Sequence, residues 1–176
     1  GVGVAAARRG RDHLAEVRTR RGYGGREPPA TPAGIATSGR PLLGLMARFG
    51  LGEIEVIGYH TGSKIAVELA LLAPARVHSP VLVSAPRYTD DELAHQAQSL
   101  AAPRVLDPEG SHLVRQFREL VRWCPQGTPL ELIQREFGEQ QRAGQRAHWG
   151  YRAAFAFHHS DHLPQVGQPV LLLCPE

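Results

Sequence analysis

A strand–turn–helix–strand unit occupies residues 53–84 and limits the folds open to the chain. Glu53-Ile54-Glu55-Val56-Ile57-Gly58 alternates and then becomes continuously apolar, the pattern of a strand entering a buried position. Tyr59-His60-Thr61-Gly62 is a tight turn, and Ser63 to Ala73 reads as a helix. Ile65, Leu69 and Leu72 form one stripe of that helix. Ala66, Val67, Ala70, Leu71 and Ala73 fill most of the remainder, leaving only Lys64 and Glu68 charged. Such a helix is expected to be covered on nearly all sides. Burying its large aliphatics contributes roughly 7–15 kcal/mol before chain entropy is subtracted. Pro74 ends it. Ser79-Pro80-Val81-Leu82-Val83-Ser84 is a second strand, with Pro80 tolerated at its start. A βαβ unit of this length implies parallel strands and a right-handed crossover.

The flanks extend that unit. Residues 1–40 are rich in Gly and Arg and poor in large aliphatics, so they are expected to be loosely ordered, with a short strand at Leu14–Val17. From Pro41, Leu42, Leu43, Leu45, Met46 and Phe49 fall on helical spacings, with Gly50 and Gly52 as stop signals. Residues 41–86 thus form the α/β core, and residues 87–165 read as helical. Thr89-Asp90-Asp91-Glu92 is a capping box for a helix to about Ala101. Ser111 opens a second helix, and Thr128-Pro129-Leu130-Glu131 opens a third that stops near Gly138. A fourth, around Gln145–Phe157, is aromatic. Pro169 to Cys174, within residues 166–176, is a third buried strand. The expected architecture is an α/β parallel sheet interrupted by a helical insertion.

At 176 residues and 42% hydrophobic content, wholesale disorder is excluded. A net charge of +3 is too small to argue for nucleic acid. Every cation except Lys64 is arginine. Cys124 and Cys174 make no disulfide framework and no zinc-ligand spacing. No apolar run approaches ~18 residues, so no membrane span is expected, and no signal-peptide pattern opens the chain. A cytoplasmic protein is the default, and both ends read as cut.

Gly58-x-His60-x-Gly62, set between a buried strand and a buried helix, resembles the nucleophile elbow of the α/β-hydrolase superfamily, usually written G-x-S-x-G. The segment EVIGYHTGSKIAVELALLAPARVHSPVLVSAP is similar to the elbow, helix and strand of epoxide-hydrolase-like and haloalkane-dehalogenase-like members. QPVLLLCPE resembles the strand that returns to the sheet after a helical cap. RRGYGGREPPA is similar to a loop the family writes D-x-P-G-Y-G-x-S-D-x-P, with Thr19 at its Asp, Arg21 at its first Pro and Arg26 at its Ser. The resemblance spans about residues 17–176 and is strongest over 53–86. It implies that the residue-60 side chain stands above the sheet and that the Thr61 N–H faces a substrate oxyanion. Members carry Ser, Asp or Cys where this chain has His60. An imidazole can serve as nucleophile or base. Alternatively, the position needs only a residue that tolerates positive φ, for which His is suited. The family's histidine would lie beyond residue 176, and its acid after the strand ending at Cys174. Asp90 or Asp91 could supply an acid after the strand ending at Ser84, or could simply be first-turn residues favoured by the helix dipole. No HG-type oxyanion loop appears in residues 1–20.

Other constellations have plainer readings. His158-His159-Ser160-Asp161-His162 looks metal-like, but Pro164 follows closely, and a solvated loop with His159 and His162 facing water explains the same letters. Arg20 to Arg26 resembles one RGG-type RNA-binding copy, which is little support for nucleic acid. Trp123, Trp149, Tyr151, Phe155 and Phe157 could pack within the cap or wall a pocket beneath it. Gly110-Ser111-His112 reads as a helix start.

The chain is therefore expected to be an α/β-hydrolase-like protein acting on a small, apolar ester- or epoxide-like substrate. The assigned site is His60 as the elbow residue, the Thr61 N–H as oxyanion donor, Gly58 and Gly62 as elbow glycines, Asp90 or Asp91 as acid, and Tyr59, Tyr151 and Phe155 as substrate contacts. No metal or organic cofactor is implied. The alternatives are an inactive, hydrolase-like binding protein or truncated gene product, and RNA binding through the amino-terminal arm. Oligomeric state is open.

Overall fold

A computed structural model describes residues 4–8, 14–17, 31–32, 34–103 and 105–174. The described strands form one sheet in the order β2-β1-β3-β4-β5. β1 (Val4–Arg8) and β2 (Leu14–Val17) make an antiparallel pair. β1 also lies antiparallel to β3 (Ile54–Tyr59). β3, β4 (Val77–Val83) and β5 (Leu171–Leu173) are mutually parallel neighbours, with Gly58 opposite Leu82 and Leu82 opposite Leu172. The Leu14–Val17 strand is where the sequence placed it, whereas the Val4–Arg8 strand was not anticipated. The loop and RGG-like residues 19–30 lie outside the described residues.

α1 (Ile35–Arg48) starts before Pro41 and carries that proline inside it, so the expected boundary at residue 40 falls within a helix. Its Ile35, Leu42 and Met46 join the core, which offsets the hydrogen bond that Pro41 cannot make. α2 (Thr61–Leu72) covers β3 and β4 and packs beside α1. It is buried almost all round, as its sequence requires, and only its far end at Leu72 is open.

The strands are covered less evenly. Ile54, Val56 and Gly58 are buried, but Ile57 and Tyr59 on the opposite face are exposed. All three leucines of β5 are about half-exposed, which corrects the expectation of a buried strand. β5 stands at the sheet edge, and apolar composition alone does not supply a neighbour. Pro80 is the fourth residue of β4 rather than its first. It is tolerated because β5 pairs only with Val81–Val83, leaving that side of Pro80 without a ladder to break.

Among the described residues, five α-helices separate β4 from β5. α3 (Asp90–Leu100) begins on the anticipated capping box: Glu92 N–H donates to Thr89 Oγ1 at 3.3 Å, and Thr89 N–H donates to Glu92 Oε2 at 2.8 Å. The Thr89 N–H and then the Thr89 hydroxyl, both donating to Glu92 Oε2, hold that carboxyl below its usual range. α4 (Ser111–Trp123) and α5 (Leu130–Arg142) meet through an edge-to-face contact of Phe117 and Phe137 at 5.3 Å. α5 runs through Gly138 instead of stopping there, because one interior glycine costs only about 1 kcal/mol. Thr128 does not cap it; its hydroxyl donates to the Pro125 carbonyl.

A 3₁₀ turn leads into α6 (Ala147–Phe155), and α7 (His159–His162) is a single turn before β5. α7 replaces the solvated loop expected for this segment. His159 is buried, and His162 stacks on Phe157 with ring centroids 4.0 Å apart. Phe157 belongs to the core, so the ring faces that read as solvated are spent on packing. The five candidate aromatics do not form one wall. Trp123 is exposed, Trp149 sits under the Arg146 guanidinium at 5.4 Å, and Tyr151 stacks on Phe155.

Candidate active site

The site is built on the junction of β3 and α2. A Cβ on Gly58 would lie 2.3 Å from the Gly62 carbonyl oxygen and 2.7 Å from Ser63 Cα. Strand and helix backbones therefore touch at a place where no side chain fits. Between them His60 adopts φ 53° and ψ −115°, a conformation sparsely populated by residues other than glycine. Its backbone is held on both sides. The His60 N–H donates to Val83 O at 2.9 Å, while its carbonyl accepts from Ser63 N–H at 3.0 Å and from Ser63 Oγ at 2.5 Å.

His60 is exposed, whereas Thr61, Gly62, Ser63 and Lys64 after it are buried. Thr61 and Gly62 are the first residues of α2, so their N–H groups have no acceptor within the helix and carry the positive end of its dipole. Ser84, at the corresponding end of the adjacent parallel β4, also has positive φ, at 51°. Two strained residues thus mark the carboxyl ends of neighbouring parallel strands, where open α/β sheets place ligand sites.

Of the other assigned residues, Tyr59 is brought to this turn, its ring 6.1 Å from that of His60. Tyr151 and Phe155 lie on α6, where Phe155 also meets the edge of Tyr88. Asp90 and Asp91 sit exposed in the first turn of α3. Asp90, Phe155, Arg152 and His158 line a cleft of about 530 Å³ between α3 and α6, floored by Ala94 and Ala97. None of residues 58–62 borders that cleft. Among the described residues, a residue at positive φ and helix N–H groups without an intrahelical acceptor come together at this turn. Among the described residues, no group of three or more His, Cys, Asp and Glu gathers as metal ligands, and no helix is long and apolar enough to cross a membrane.

Three residues behind the turn were not among the site residues assigned from the sequence. Ser63 is 0% exposed, and its Oγ lies 3.3 Å from His159 Nε2. His159 is 4% exposed, and its Nδ1 faces Pro86 O at 3.4 Å. Lys64 is 3% exposed and donates from Nζ to the carbonyls of Ala154, at 2.6 Å, and Phe157, at 2.7 Å. Burial lowers the Lys64 pKa to about 8. Burial, with the Lys64 charge next, lowers that of His159 to about 4, so its ring is neutral at pH 7. The available signal was Lys64 itself, the chain's one lysine, set on a helix otherwise too apolar to face water.

No protein-family model and no curated protein sequence matches this chain. Solved structures do. A protein of Nostoc sp. PCC 7120 described as an α/β hydrolase superposes with a TM-score of 0.69 at 23% identity, covering 93% of this chain and 64% of that one. A hydrolase from Pseudomonas aeruginosa PA01 gives 0.67 at 20% identity, covering 90% and 59%. A thermophilic esterase from Thermogutta terrifontis gives 0.63 at 20% identity, covering 88% and 58%. Epoxide hydrolases occur among the other matches. The chain has part of the α/β-hydrolase fold, and it spans about three-fifths of the length of these structures.

Proposed function

We propose that this chain is the core of a hydrolase acting on a small, apolar ester, with His60 at the elbow as nucleophile and the segment 87–165 as its cap. The observation that carries the reading is the exposed imidazole on a strained turn that is pinned through both its N–H and its carbonyl. A neutral imidazole nitrogen adds to the ester carbonyl, and the developing oxyanion meets the Thr61 N–H at the helix amino end. Collapse expels the alcohol, which takes up a proton from solvent, and leaves an acyl-imidazole. Water hydrolyses that intermediate and regenerates His60.

The same chemistry favours esters over epoxides. Imidazole opens an epoxide by forming an N-alkyl bond, which water does not cleave, so an epoxide gives one addition and no turnover. Tyr59 stands beside the ring as an apolar contact for the acyl group, and Tyr151, Phe155 and Asp90 are placed as farther cap contacts.

The test is p-nitrophenyl acetate hydrolysis by the whole chain, with mass spectrometry of the protein. Steady turnover, with an acyl adduct on His60 and a loss of about 10²-fold or more in His60→Ala, is the expected result. Saturable ester binding without turnover, unaltered in His60→Ala, would instead establish the inactive binding protein.

A further inference from the structure

We propose that Ser63 and His159 are positioning residues for the His60 turn, clamping it to the inserted helices through a chain of contacts from the His159 ring to the Ser63 hydroxyl to the His60 carbonyl. The function assigned to the clamp rests on His60 being the reactive residue; the clamp itself rests on geometry alone.

Counting protons fixes its direction. A serine hydroxyl has one proton, and at 2.5 Å Ser63 gives it to the His60 carbonyl. Towards His159, Ser63 can therefore only accept, which assigns the neutral ring's one proton to Nε2 and leaves Nδ1 in contact with the Pro86 carbonyl at 3.4 Å without a proton to donate to it. A catalytic Ser–His pair needs the opposite polarity, with serine donating to imidazole. Ser63 is also wholly buried, and Nδ1 of His159 faces the Pro86 carbonyl rather than a carboxylate. The pair is built to hold, not to attack.

What it holds is specific. Ser63 and His159 are 96 residues apart, on α2 and α7. Pro86 follows β4, so three elements meet at one ring. Next to Ser63, Lys64 fastens the carboxyl end of α6 through the Ala154 and Phe157 carbonyls, where its charge also opposes the helix dipole. The inserted helices are thereby tied to the two residues that follow the Thr61 and Gly62 N–H groups. A turn at positive φ persists only when its surroundings over-determine it, and this clamp supplies that constraint from outside the βαβ unit.

The experiment compares Ser63→Ala, His159→Leu and His159→Gln in the whole chain, by amide hydrogen exchange and by ester hydrolysis. Glutamine places an N–H donor where Nε2 stood; leucine does not. Ser63→Ala and His159→Leu are expected to speed exchange of the hydrogen-bonded His60 and Ser63 amides about ten-fold relative to β4 amides, with His159→Gln restoring protection. In the same variants kcat should fall with KM retained, and should recover in His159→Gln. Unchanged exchange at the turn, a uniform rise across the sheet, or labelling of Ser63 by a fluorophosphonate would each overturn the clamp. If wild-type protein hydrolyses no ester while the exchange pattern appears, the nucleophile assignment fails and the clamp stands. A variant that does not fold leaves the comparison of the remaining two with wild type to decide.

Discussion

Gly58→Ala is expected to cost about 3–5 kcal/mol, enough to lower the thermal midpoint by about 10 °C or to prevent folding outright. The new methyl would sit 2.3 Å from the Gly62 carbonyl oxygen and 2.6 Å from its carbon. Both are backbone atoms in the first turn of α2, so no rotamer change relieves the clash. The helix must lift from β3, and with it Ile65, Val67 and Leu69, which are buried in the core. Gly138→Ala is the control. Its Cβ meets nothing within 4 Å, and it lies inside α5, so alanine should stabilise by about 0.5–1 kcal/mol. Urea denaturation of the two variants separates a steric requirement at Gly58 from a general cost of changing glycine. Equal, small effects at both positions would mean that β3 and α2 do not approach as closely as described.

That contact explains why the turn was legible in the sequence. A strand and a helix that touch at their junction need glycine at fixed offsets, and Gly58-x-His60-x-Gly62 states the requirement within five residues. The apolar content of α2 and the Thr89–Glu92 capping box are equally local, and the structure holds both. What was not legible depends on distant partners. The letters His158 to His162 are polar, and nothing nearby shows that His159 is buried against Ser63 from 96 residues away. The leucines of β5 are as apolar as a central strand, yet stand half-exposed, because hydrophobicity reports a tendency to be covered and not the presence of a cover. For the aromatic residues of 145–157, packing within the cap and walling a pocket read alike in the sequence; Tyr151 stacks on Phe155, which also meets Tyr88, and Trp149 lies against His148. Lys64 lies between these cases. Its isolation on an apolar helix was visible, but not the two carbonyls that make its burial tolerable.

Those carbonyls lead to the second large effect, a stability that rises with pH in two steps. A base that holds its proton less tightly in the native protein than in the unfolded chain makes the unfolded state bind more protons, so stability increases with pH between the two pKa values. His159 falls from 6.5 to about 4, and the native protein should gain about 3 kcal/mol between pH 4 and 6.5. Lys64 falls from 10.5 to about 8, and a second gain of about 3 kcal/mol should begin near pH 8. Tyr88 opposes the top of that rise. Its hydroxyl is pushed up by burial and then by Glu92, so above about pH 10 it ionises more readily in the unfolded chain. A plateau should therefore lie between about pH 6.5 and 8, with a maximum near pH 10. Urea midpoints measured across pH 4–10 in wild type, Lys64→Met and His159→Gln assign each limb. Lys64→Met should remove the alkaline limb while leaving the Ala154 and Phe157 carbonyls without their donor, so at pH 7 it also loses about 1–3 kcal/mol. His159→Gln should flatten the acid limb alone. If the alkaline rise survives in Lys64→Met, the proton responsible belongs to another group, and Lys64 is not confined beneath α6 as its two hydrogen bonds require.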